Sequence, residues 1–596
     1  MKITPGVRFL ASAFAGLCVP PIFAIAGKRI LEQRVIFLPT WTYAAFAVFG
    51  WPAFAAIRII LKEVKQRREA YAMGARLVPR VHGKLPGNLD VLRQMMVNWR
   101  KGYPGDGLGE VIEEKGPIFN MHVLWDDMIV TIWPEHLHIL LASDFPNYVK
   151  GERFQKGMSS MLGVGVFNAD GEMWRFHRQL TRPFFTRDRI SHFELFDRHT
   201  DIVTKLMKER LREGYAFDFQ DLMARFTLDS AAEFLFGVNV HSLSASLPYP
   251  PTVPHKIASG SETEITLKAQ AFVKAFMKVQ DVVSRRERMG QLWPLLEIFE
   301  DKTIAPMKVV NAFIEPIVAE AVAKKKAGRF VPKEKKDDIG EDETLLDHLV
   351  GLTEDPVVLK DETLNILLAG RDTTSATLTF TIYFLCIYPN VTARLREEIL
   401  AKVGPNRRPT YDDVKDMKYL RAVINETLRL YPVVPFNVRE SVKATVWPSP
   451  DPTQKPLYIP AGSKLPYSVF MMHRRKDLWG PDAEEFDPDR FLDARLKKYL
   501  SPRPFIFLPF NAGPRICLGQ QFAYNEMSFM LIRLLQNFKS FSLEQSVVPP
   551  EFQPAPEWKN APGRKGIDKF FPKMALTMFS GGGLWIKAEE AEVIEA

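Results

Sequence analysis

The chain has 596 residues, of which 46% are hydrophobic and 25% are charged, and its net charge is +9. This composition is typical of a folded globular protein and excludes a disordered or collagen-like chain. The positive balance favours contact with an anionic membrane surface or an acidic protein. We expect no nucleic-acid partner, because zinc-finger spacing, RNP-like motifs and basic stripes with interleaved aromatics are all missing from the sequence. The 3 cysteines are too few for a disulfide framework and fit a reducing compartment.

The first part of the sequence indicates a membrane anchor. Two uncharged runs, residues 9–27 and 35–57, each approach the ~20 residues that a helix needs to cross a bilayer core. We therefore predict an anchor over residues 1–62 that crosses the membrane as one helix or as two. A basic cluster follows and should stay in the cytosol under the positive-inside rule. Its members are Lys62, Lys65, Arg67, Arg68 and Arg76.

The rest of the chain divides into a linker and one folded domain. Residues 63–88 form a basic, proline-containing linker with the composition of a hinge. For residues 89–596 we predict a mainly α domain with a minor β-sheet. Alternation at residues 116–133 predicts one hairpin, and residues 574–587 predict another with a glycine turn. Residues 241–264 lack periodicity and indicate a loop or insertion whose role the sequence leaves open.

Trp174 and Arg178 are four residues apart in a helical segment and therefore share one helix face. An indole N–H and a guanidinium on one face can together bind a carboxylate. A tryptophan packed under an arginine explains the same spacing equally well. The residues alone leave both interpretations open.

A long helix is predicted to begin at Asp355 and Pro356, which form an N-cap and first-position pair, and to stop at Pro389. At 1.5 Å per residue it would be roughly 50 Å long. Its middle reads Ala-Gly-Arg-Asp-Thr-Thr at residues 369–374. Gly370 and the adjacent threonines should loosen one turn and open a groove for a diatomic molecule and a water. The alternative is a regular helix with a tolerated glycine and a polar stripe.

Glu426 and Arg429 place opposite charges three residues apart on a helix that ends before Pro432. An exposed pair of this kind contributes only ~0–1 kcal/mol to stability. The spacing therefore has structural weight only if the pair is buried.

Cys517 lies in a loop tightened by glycines and a proline, two residues after Arg515 and directly before an apolar-periodic helix. A thiol at a helix N-terminus beside a cation should lose its proton readily. Such a thiolate suits an axial ligand of haem iron. The alternative, a buried structural cysteine, is common among proteins.

Together these segments resemble the cytochrome P-450 superfamily. The spacing Phe-x-x-Gly-x-Arg-x-Cys-x-Gly is complete at residues 510–519, and Ala-Gly-x-Asp-Thr-Thr is complete at 369–374. Five motifs follow the family's order between about residues 89 and 587. Their surroundings are most similar to those of fungal P-450s that hydroxylate n-alkanes and fatty acids. The resemblance implies the mainly helical P-450 fold, preceded by the transmembrane anchor.

The resemblance also implies a haem b cofactor and the residues that would hold it. Cys517 would be the iron ligand, in a loop shaped by Phe510 and Gly513. The residues that would bind the haem propionates are Trp174, Arg178, Arg439 and Arg515. Ala369 stands where family members with esterified haem carry a glutamate, so no covalent haem link is expected.

On the opposite face of the haem, the resemblance implies that Thr373 hydrogen-bonds bound O2 and that Asp372 relays protons from solvent. It further implies a structural charge triad that supports the cysteine loop. The triad consists of Glu426, Arg429 and Arg490.

The implied enzyme is a membrane-bound monooxygenase that inserts one oxygen atom from O2 into an apolar substrate, by terminal hydroxylation of an n-alkane or fatty acid. Its electrons would come from NADPH through a diflavin reductase, and it would face the cytosol from the endoplasmic reticulum membrane. Polycyclic aromatics or xenobiotics are alternative substrates. A haem-thiolate isomerase or dehydratase and a non-enzymatic haem sensor are the competing functions. Thr373 and the membrane anchor argue against the first, and the presence of both Asp372 and Thr373 argues against the second. Chain length, position of attack and oligomeric state stay open.

Overall fold

The computed structural model describes residues 3–185, 193–253, 263–327 and 343–592. Of the predicted loop at 241–264, residues 254–262 lie outside this range, and the described part is irregular apart from one short 3-10 turn at Ser242–Ser244. The chain is mainly helical with small sheets, as predicted.

The helices make up the bulk of the described residues, and the strands form small sheets. The α-helices in the described residues are α1 (Pro5–Gln33), α2 (Thr40–Ala72), α3 (Leu89–Lys101), α4 (Gly109–Lys115), α5 (Pro134–His138), α6 (Gly151–Leu162), α7 (Gly171–Thr181), α8 (Glu194–Arg212), α9 (Phe219–Phe236), α10 (Glu264–Met289), α11 (Ile304–Lys326), α12 (Leu345–Leu352), α13 (Pro356–Ile387), α14 (Pro389–Lys402), α15 (Tyr411–Asp416), α16 (Lys418–Leu430), α17 (Val469–Met472), α18 (Lys476–Trp479), α19 (Asp493–Tyr499), α20 (Gln520–Asn537) and α21 (Arg564–Ile567). The strands are β1 (Arg76–Leu77), β2 (Ile118–Asn120), β3 (Ile129–Thr131), β4 (Tyr148–Val149), β5 (Phe217–Asp218), β6 (Phe436–Ser441), β7 (Thr445–Trp447), β8 (Leu457–Ile459), β9 (Lys464–Ser468), β10 (Phe538–Leu543), β11 (Pro572–Met574), β12 (Met578–Ser580) and β13 (Trp585–Glu590).

Two helices at the start of the chain, α1 and α2, are long and apolar enough to cross a membrane. Their surfaces are largely uncovered by protein, as expected for helices that lie in lipid. The helix α2 continues to Ala72, so the first part of the predicted linker is helical. The domain boundaries at 62 and 88 stay a prediction. Where α2 meets the linker, a cavity of about 350 Å³ is lined by Ile59, Val64, Arg80 and Trp125 among others.

The long helix α13 connects two apolar cores. Asp355 caps it by accepting hydrogen bonds from the N–H groups of Val357 and Val358, and Pro356 begins it, as predicted. Residues 359–368 pack with α9 to α12, whereas residues 376–385 pack with α16, α20 and the sheets near the end of the chain. The 32 residues of α13 extend ~48 Å at 1.5 Å per residue, long enough to cross the whole domain.

The largest sheet has five strands in the order β2-β3-β9-β6-β4. The hairpin predicted at 116–133 is confirmed, because β2 and β3 pair antiparallel with Ile118 opposite Thr131. The hairpin predicted at 574–587 is wrong. There β12 pairs back with β11, while β13 on the other side of the glycine turn pairs with β10. Pairing with β10 leaves Ile586 fully buried, which a local hairpin at this edge would not require.

Candidate active site

The loop before α20 is held closed by its own backbone. The N–H of Cys517 donates to the Phe510 carbonyl at 3.0 Å, and that of Ile516 donates to the Gly513 carbonyl at 3.0 Å. Gly513 has φ +67°, and a Cβ there would lie 1.6 Å from the Leu141 carbonyl oxygen. Only glycine therefore fits where the loop crosses the segment after α5.

The side chain of Cys517 is accessible, although protein surrounds the loop on most sides. Burial raises the pKa of its thiol, while the Gly519 N–H and the Arg178 charge act in the opposite direction. The Gly519 N–H and the Arg178 charge therefore favour the thiolate, as expected, while burial opposes it. Coordination to a metal ion would remove the proton outright.

A cluster of cations lies beside this loop. Arg439 on β6 is 1% exposed, and its Nη1 donates to the Val438 carbonyl at 2.8 Å and to Asn437 Oδ1 at 3.2 Å. Lys150, before α6, reaches the same Asn437 oxygen at 3.0 Å. Arg515 of the cysteine loop donates from Nη2 to Asp170 Oδ1 at 2.8 Å. Three segments far apart in sequence thus bring Lys150, Arg439 and Arg515 together.

The positive charge of this cluster exceeds the negative charge around it. Burial together with the Arg439 and Arg515 charges holds the pKa of Lys150 well below its ordinary value. Burial and Arg439 lower the pKa of Arg515 to about 10. In the described part of the chain, the Nε atoms of Arg439 and Arg515 are buried without a hydrogen-bond partner. Burying such groups is costly unless an anion pairs with them.

This donor set fits haem. The Cys517 thiol could ligate the iron, and the unpaired Nε atoms of Arg439 and Arg515 together with Lys150 suit the two carboxylates that haem carries. The fit rests on unpaired N–H donors and on the glycine that shapes the loop.

Trp174 and Arg178 both face the cysteine loop from α7 but have different partners. The Arg515 guanidinium lies 4.6 Å from the centre of the Trp174 ring, which is 7% exposed. Arg178 donates from Nη1 to the Ile516 carbonyl at 2.6 Å. Trp174 and Arg178, which were predicted to bind one carboxylate, therefore contact the cysteine loop at two different residues. Their role toward haem stays a prediction.

The helix α13 runs unbroken through the motif at residues 369–374, so the predicted loosened turn is absent from it. The Thr373 hydroxyl donates to the Ala369 carbonyl at 2.7 Å, the usual bond of a helical threonine. Asp372 pairs with Arg371. A Cβ at Gly370 would lie 3.2 Å from the Cβ of Ala231, so the glycine lets α9 pack closely against α13.

The predicted charge triad is brought together and fully buried. Glu426 Oε2 is 2.7 Å from Arg429 Nε, and its Oε1 is 3.4 Å from Arg490 Nε. Arg429 also donates to the carbonyls of His473 and Ala483 at 2.7 and 2.6 Å. Every charge in the triad therefore has close partners, the condition under which buried charges are tolerated.

His473 links this triad to the cysteine loop. Its Nδ1 lies 3.1 Å from the Arg429 carbonyl, and its Nε2 accepts the Leu508 N–H at 3.0 Å. Because Nε2 accepts, Nδ1 carries the proton and donates to Arg429. Burial and the Arg429 charge lower the pKa of His473 to about 3, which keeps the ring neutral and this pattern intact.

Sequence reasoning missed Lys150, His473 and Glu526. Nothing near Lys150 in the sequence sets it apart from other lysines. A glutamate inside the apolar stretch of α20 was a detectable signal, since Glu526 is 1% exposed. Among the described residues, neither of its carboxylate oxygens has a hydrogen-bond partner within normal geometry, and the Thr374 hydroxyl is the polar group beside it. Burial raises the pKa of Glu526 to about 8.

Fold and site together define a mainly helical domain, preceded by two helices that could cross a membrane, with unpaired N–H donors beside a tight cysteine loop. Comparison with known proteins agrees. Residues 95–560 match the family described as Cytochrome P450. The chain is 32% identical over 545 residues to Cytochrome P450 52A3-B of Candida maltosa, covering 88% of this chain and 96% of that protein. It is 37% identical over 420 residues to Cytochrome P450 52-E3 of Starmerella bombicola, covering 70% and 75%. It is 33% identical over 515 residues to Cytochrome P450 monooxygenase pvhE of Talaromyces variabilis, covering 80% and 87%.

The chain therefore belongs to the cytochrome P450 family. It is a haem-thiolate monooxygenase whose cofactor is haem b bound through a cysteine thiolate. Such enzymes use O2, a redox partner and lipophilic substrates.

Proposed function

We propose that Cys517 is the iron ligand and that the enzyme hydroxylates n-alkanes or fatty acids at the chain terminus. The observation that carries the ligand assignment is the accessible Cys517 thiol beside the buried Nε atoms of Arg439 and Arg515, which have no hydrogen-bond partner among the described residues. Arg439, Arg515 and Lys150 would pair with the two propionates, with support from Trp174 and Arg178. Phe510 and Gly513 shape the loop that presents the thiol.

When bound, the haem supplies activation of O2 and transfer of one oxygen atom to a C–H bond. The chain's own residues position the reactants and move protons. The Thr373 hydroxyl would rotate and break its hydrogen bond to the Ala369 carbonyl. Its proton on Oγ1 would then point toward the bound O2. Asp372, whose side chain is 10% exposed and paired with Arg371, would pass protons from solvent to that hydroxyl. Glu426, Arg429 and Arg490 support the cysteine loop through His473 and take no part in the chemistry.

The alkyl-chain substrate is supported by the resemblance of the motifs and by apolar residues near the site. The segment that joins α16 to β6 carries Val433, Val434 and Pro435, and the N–H of Met578 from β12 donates to the Val433 carbonyl at 2.9 Å. An apolar wall built from two parts of the chain suits a hydrocarbon chain. Other lipophilic molecules, such as polycyclic aromatics, are outcomes of the substrate test.

We infer that an NADPH-dependent diflavin reductase donates the electrons and docks on the basic side near Cys517. Arg178 and Arg182 lie near this cysteine, and the whole chain carries a net charge of +9. Complementary charge on an acidic partner would speed encounter. The basic residues in the last turns of α2 support a catalytic domain that faces the cytosol, and we assign the protein to the endoplasmic reticulum membrane.

The ligand assignment is tested by the spectrum of the reduced protein with carbon monoxide. We expect the strongly red-shifted band of a thiolate ligand, and we expect Cys517→Ser to abolish it because a hydroxyl replaces the thiolate. Cys386→Ser is the matched control, since Cys386 lies in α13 and should leave the band unchanged. A Cys517→Ser protein that kept the band would overturn the assignment.

Substrate class is tested by titrating the oxidised enzyme with alkanes, fatty acids and polycyclic aromatics and following the haem spin state. Products formed with reductase and NADPH are then identified by position of attack. Terminal alcohols from an alkyl chain support the proposal. Turnover of polycyclic aromatics alone would refute the substrate class, and consumption of fatty-acid hydroperoxides without reductase would indicate an isomerase.

A further inference from the structure

The start of α1 is in close contact with the loop that follows α10. The Thr4 hydroxyl donates to the Ile298 carbonyl at 2.6 Å and, as helix cap, accepts the Val7 N–H at 3.2 Å. A Cβ at Gly6 would lie 2.4 Å from Ile298 Cα and 2.7 Å from the Pro294 carbonyl oxygen. The two backbones approach so closely that only glycine fits at this position.

We name residues 290–299 the roof loop. Its exposed apolar side chains include Leu295, Leu296 and Phe299, the last of which is 94% exposed. Exposed apolar groups beside a membrane helix are explained by contact with the same lipid. The roof loop therefore lies at the membrane surface, together with the start of α1.

The second helix returns along the first. A Cβ at Gly50 of α2 would lie 3.0 Å from Pro20 of α1, and a Cβ at Gly16 would lie 3.8 Å from the Trp51 indole nitrogen. Small residues at such crossings allow close packing of membrane helices. The turn between them, residues 34–39, is thus at the opposite end from the roof loop.

The far end of α2 is also fixed to the catalytic domain. Lys62 Nζ is 3.0 Å from Asp127 Oδ2, and Gln66 Nε2 donates to the same oxygen at 2.7 Å. Both ends of the helix pair, the start of α1 and the last turns of α2, therefore contact the same domain on the same side of the membrane.

The roof loop is linked in turn to the active site. Arg286, in the last turn of α10, pairs with Glu297 of the loop at 2.6 Å. Its neighbour Glu287 pairs with Lys464 on β9, the strand next to Arg439 on β6. Fixing the position of the roof loop therefore also fixes the end of α10, which lies near the cation cluster.

We propose that the anchor is a two-span hairpin whose first residues, Thr4 to Gly6, dock on the roof loop and hold it in place. The docked segment lies on the same side of the membrane as the catalytic domain, and the turn at 34–39 lies on the other side. The docked loop fixes the end of α10, so the contact contributes to substrate binding. This last part rests on the proposed monooxygenase function, whereas the topology does not.

Disulfide trapping in membranes tests the dock without any substrate. The pair Thr4→Cys with Ile298→Cys should form an intramolecular disulfide on mild oxidation, seen as a linked peptide by mass spectrometry. The matched control is Gly27→Cys with Ile298→Cys, since Gly27 is on the same helix but has open space around it. Linkage of the first pair alone supports the dock. Failure of the first pair, or equal linkage of both, overturns it.

Labelling with a membrane-impermeant maleimide tests the topology in sealed vesicles. Ile3→Cys should react from the cytosolic side, while Val35→Cys, which is 77% exposed in the turn, should react only after detergent is added. Labelling of Val35→Cys in sealed vesicles would overturn the two-span hairpin.

A comparison of the Gly6→Leu and Gly27→Leu variants tests whether the docked segment contributes to substrate binding. Gly6→Leu should weaken substrate binding several-fold, measured by the spin-state titration, with the carbon monoxide band retained. Gly27→Leu should behave as wild type, because nothing lies within 4 Å of its Cβ position. Equal binding by both variants would overturn the contribution of the dock to binding, whatever the result of the disulfide test.

Discussion

One buried and two partly buried cations with a single contacting carboxylate make the site suited to an anionic cofactor. Asp170 contacts Arg515, and Glu287 is engaged by Lys464, so Lys150 and Arg439 keep positive charge without an anionic partner of their own. Pairing with two propionates would relieve an unfavourable burial. Cofactor binding and folding are therefore coupled at these residues.

Lys150→Met should lower retention of haem, because it keeps the length of the side chain but removes a charge that would pair with a propionate. The measurement is the ratio of haem to protein after purification and the rate of haem transfer to an acceptor. Lys156→Met, on the exposed side of α6, is the control and should retain haem as wild type does. Equal haem loss from both variants would contradict the role of Lys150.

Glu526 gives the protein a pH dependence of stability. Its folded pKa of about 8 lies above its ordinary value near 4.5. The folded state therefore holds the proton more tightly, and the contribution to stability is lost as pH rises from 4.5 through 8. Glu526→Gln, which cannot ionise, should have a thermal midpoint that falls less than the wild type's between pH 6 and pH 9.

Glu320→Gln serves as the control, because Glu320 is an exposed residue paired with Lys324 on α11. Its thermal midpoint should follow the wild-type pH profile. If the thermal midpoint of Glu526→Gln also followed the wild-type pH profile, the buried carboxyl of Glu526 would not be the source of the pH dependence of stability.

At the scale of elements, α13 carries four threonines whose hydroxyls bond back to the helix in the same way, and Thr373 and Thr377 are two of them. Thr373 donates to Ala369, and Thr377 one turn later donates to the Thr373 carbonyl at 2.8 Å. Equal local geometry means that any functional difference between them comes from position along the helix.

Thr373→Ala should bind haem normally but lose coupling, so that O2 and NADPH are consumed with less product and more hydrogen peroxide. The physical reason is the loss of the hydroxyl that holds a proton on the reacting side. Thr377→Ala is the matched control and should stay coupled. The measurement is the ratio of product formed to NADPH consumed. Unchanged coupling in Thr373→Ala would contradict the role proposed for Thr373.

The helix α16 is joined to the turn around Arg490 by charge and hydrogen bonds rather than by sequence. Arg429→Ala removes one partner of a fully buried pair, which typically costs about 3–5 kcal/mol. We expect little folded, haem-loaded protein, measured as the carbon monoxide band per mole of chain. Arg394→Ala breaks the exposed pair with Asp489 and should cost ~0–1 kcal/mol. Comparable losses in both would show that burial of the triad is unimportant.

At the scale of the whole molecule, the anchor and the catalytic domain are connected at more than one point. The last turns of α2 contact Asp127, and the start of α1 contacts Ile298. A membrane helix pair fixed at both ends orients the domain on the bilayer, with exposed apolar residues such as Phe299 at the surface.

The sequence by itself determined the features that depend on neighbours within a few residues. The caps of α13, the apolar runs of α1 and α2, the spacing of Glu426 and Arg429, and the Cys517 loop follow from local geometry and composition. The resemblance that the motifs carry then implied the fold class, the haem-thiolate chemistry and the family.

Tertiary structure alone decided which distant groups meet and which stay unpaired. Lys150 joins Arg439 and Arg515 only because α6, β6 and the cysteine loop converge. Only the folded chain buries Glu526 beside the Thr374 hydroxyl without a hydrogen bond of normal geometry among the described residues. The strand β13 pairs with β10 and not with β12, its neighbour in sequence, and Ile586 is buried in this arrangement. Burial changes the pKa and the cost of a charge, and burial depends on the whole chain, so local pattern cannot predict these outcomes.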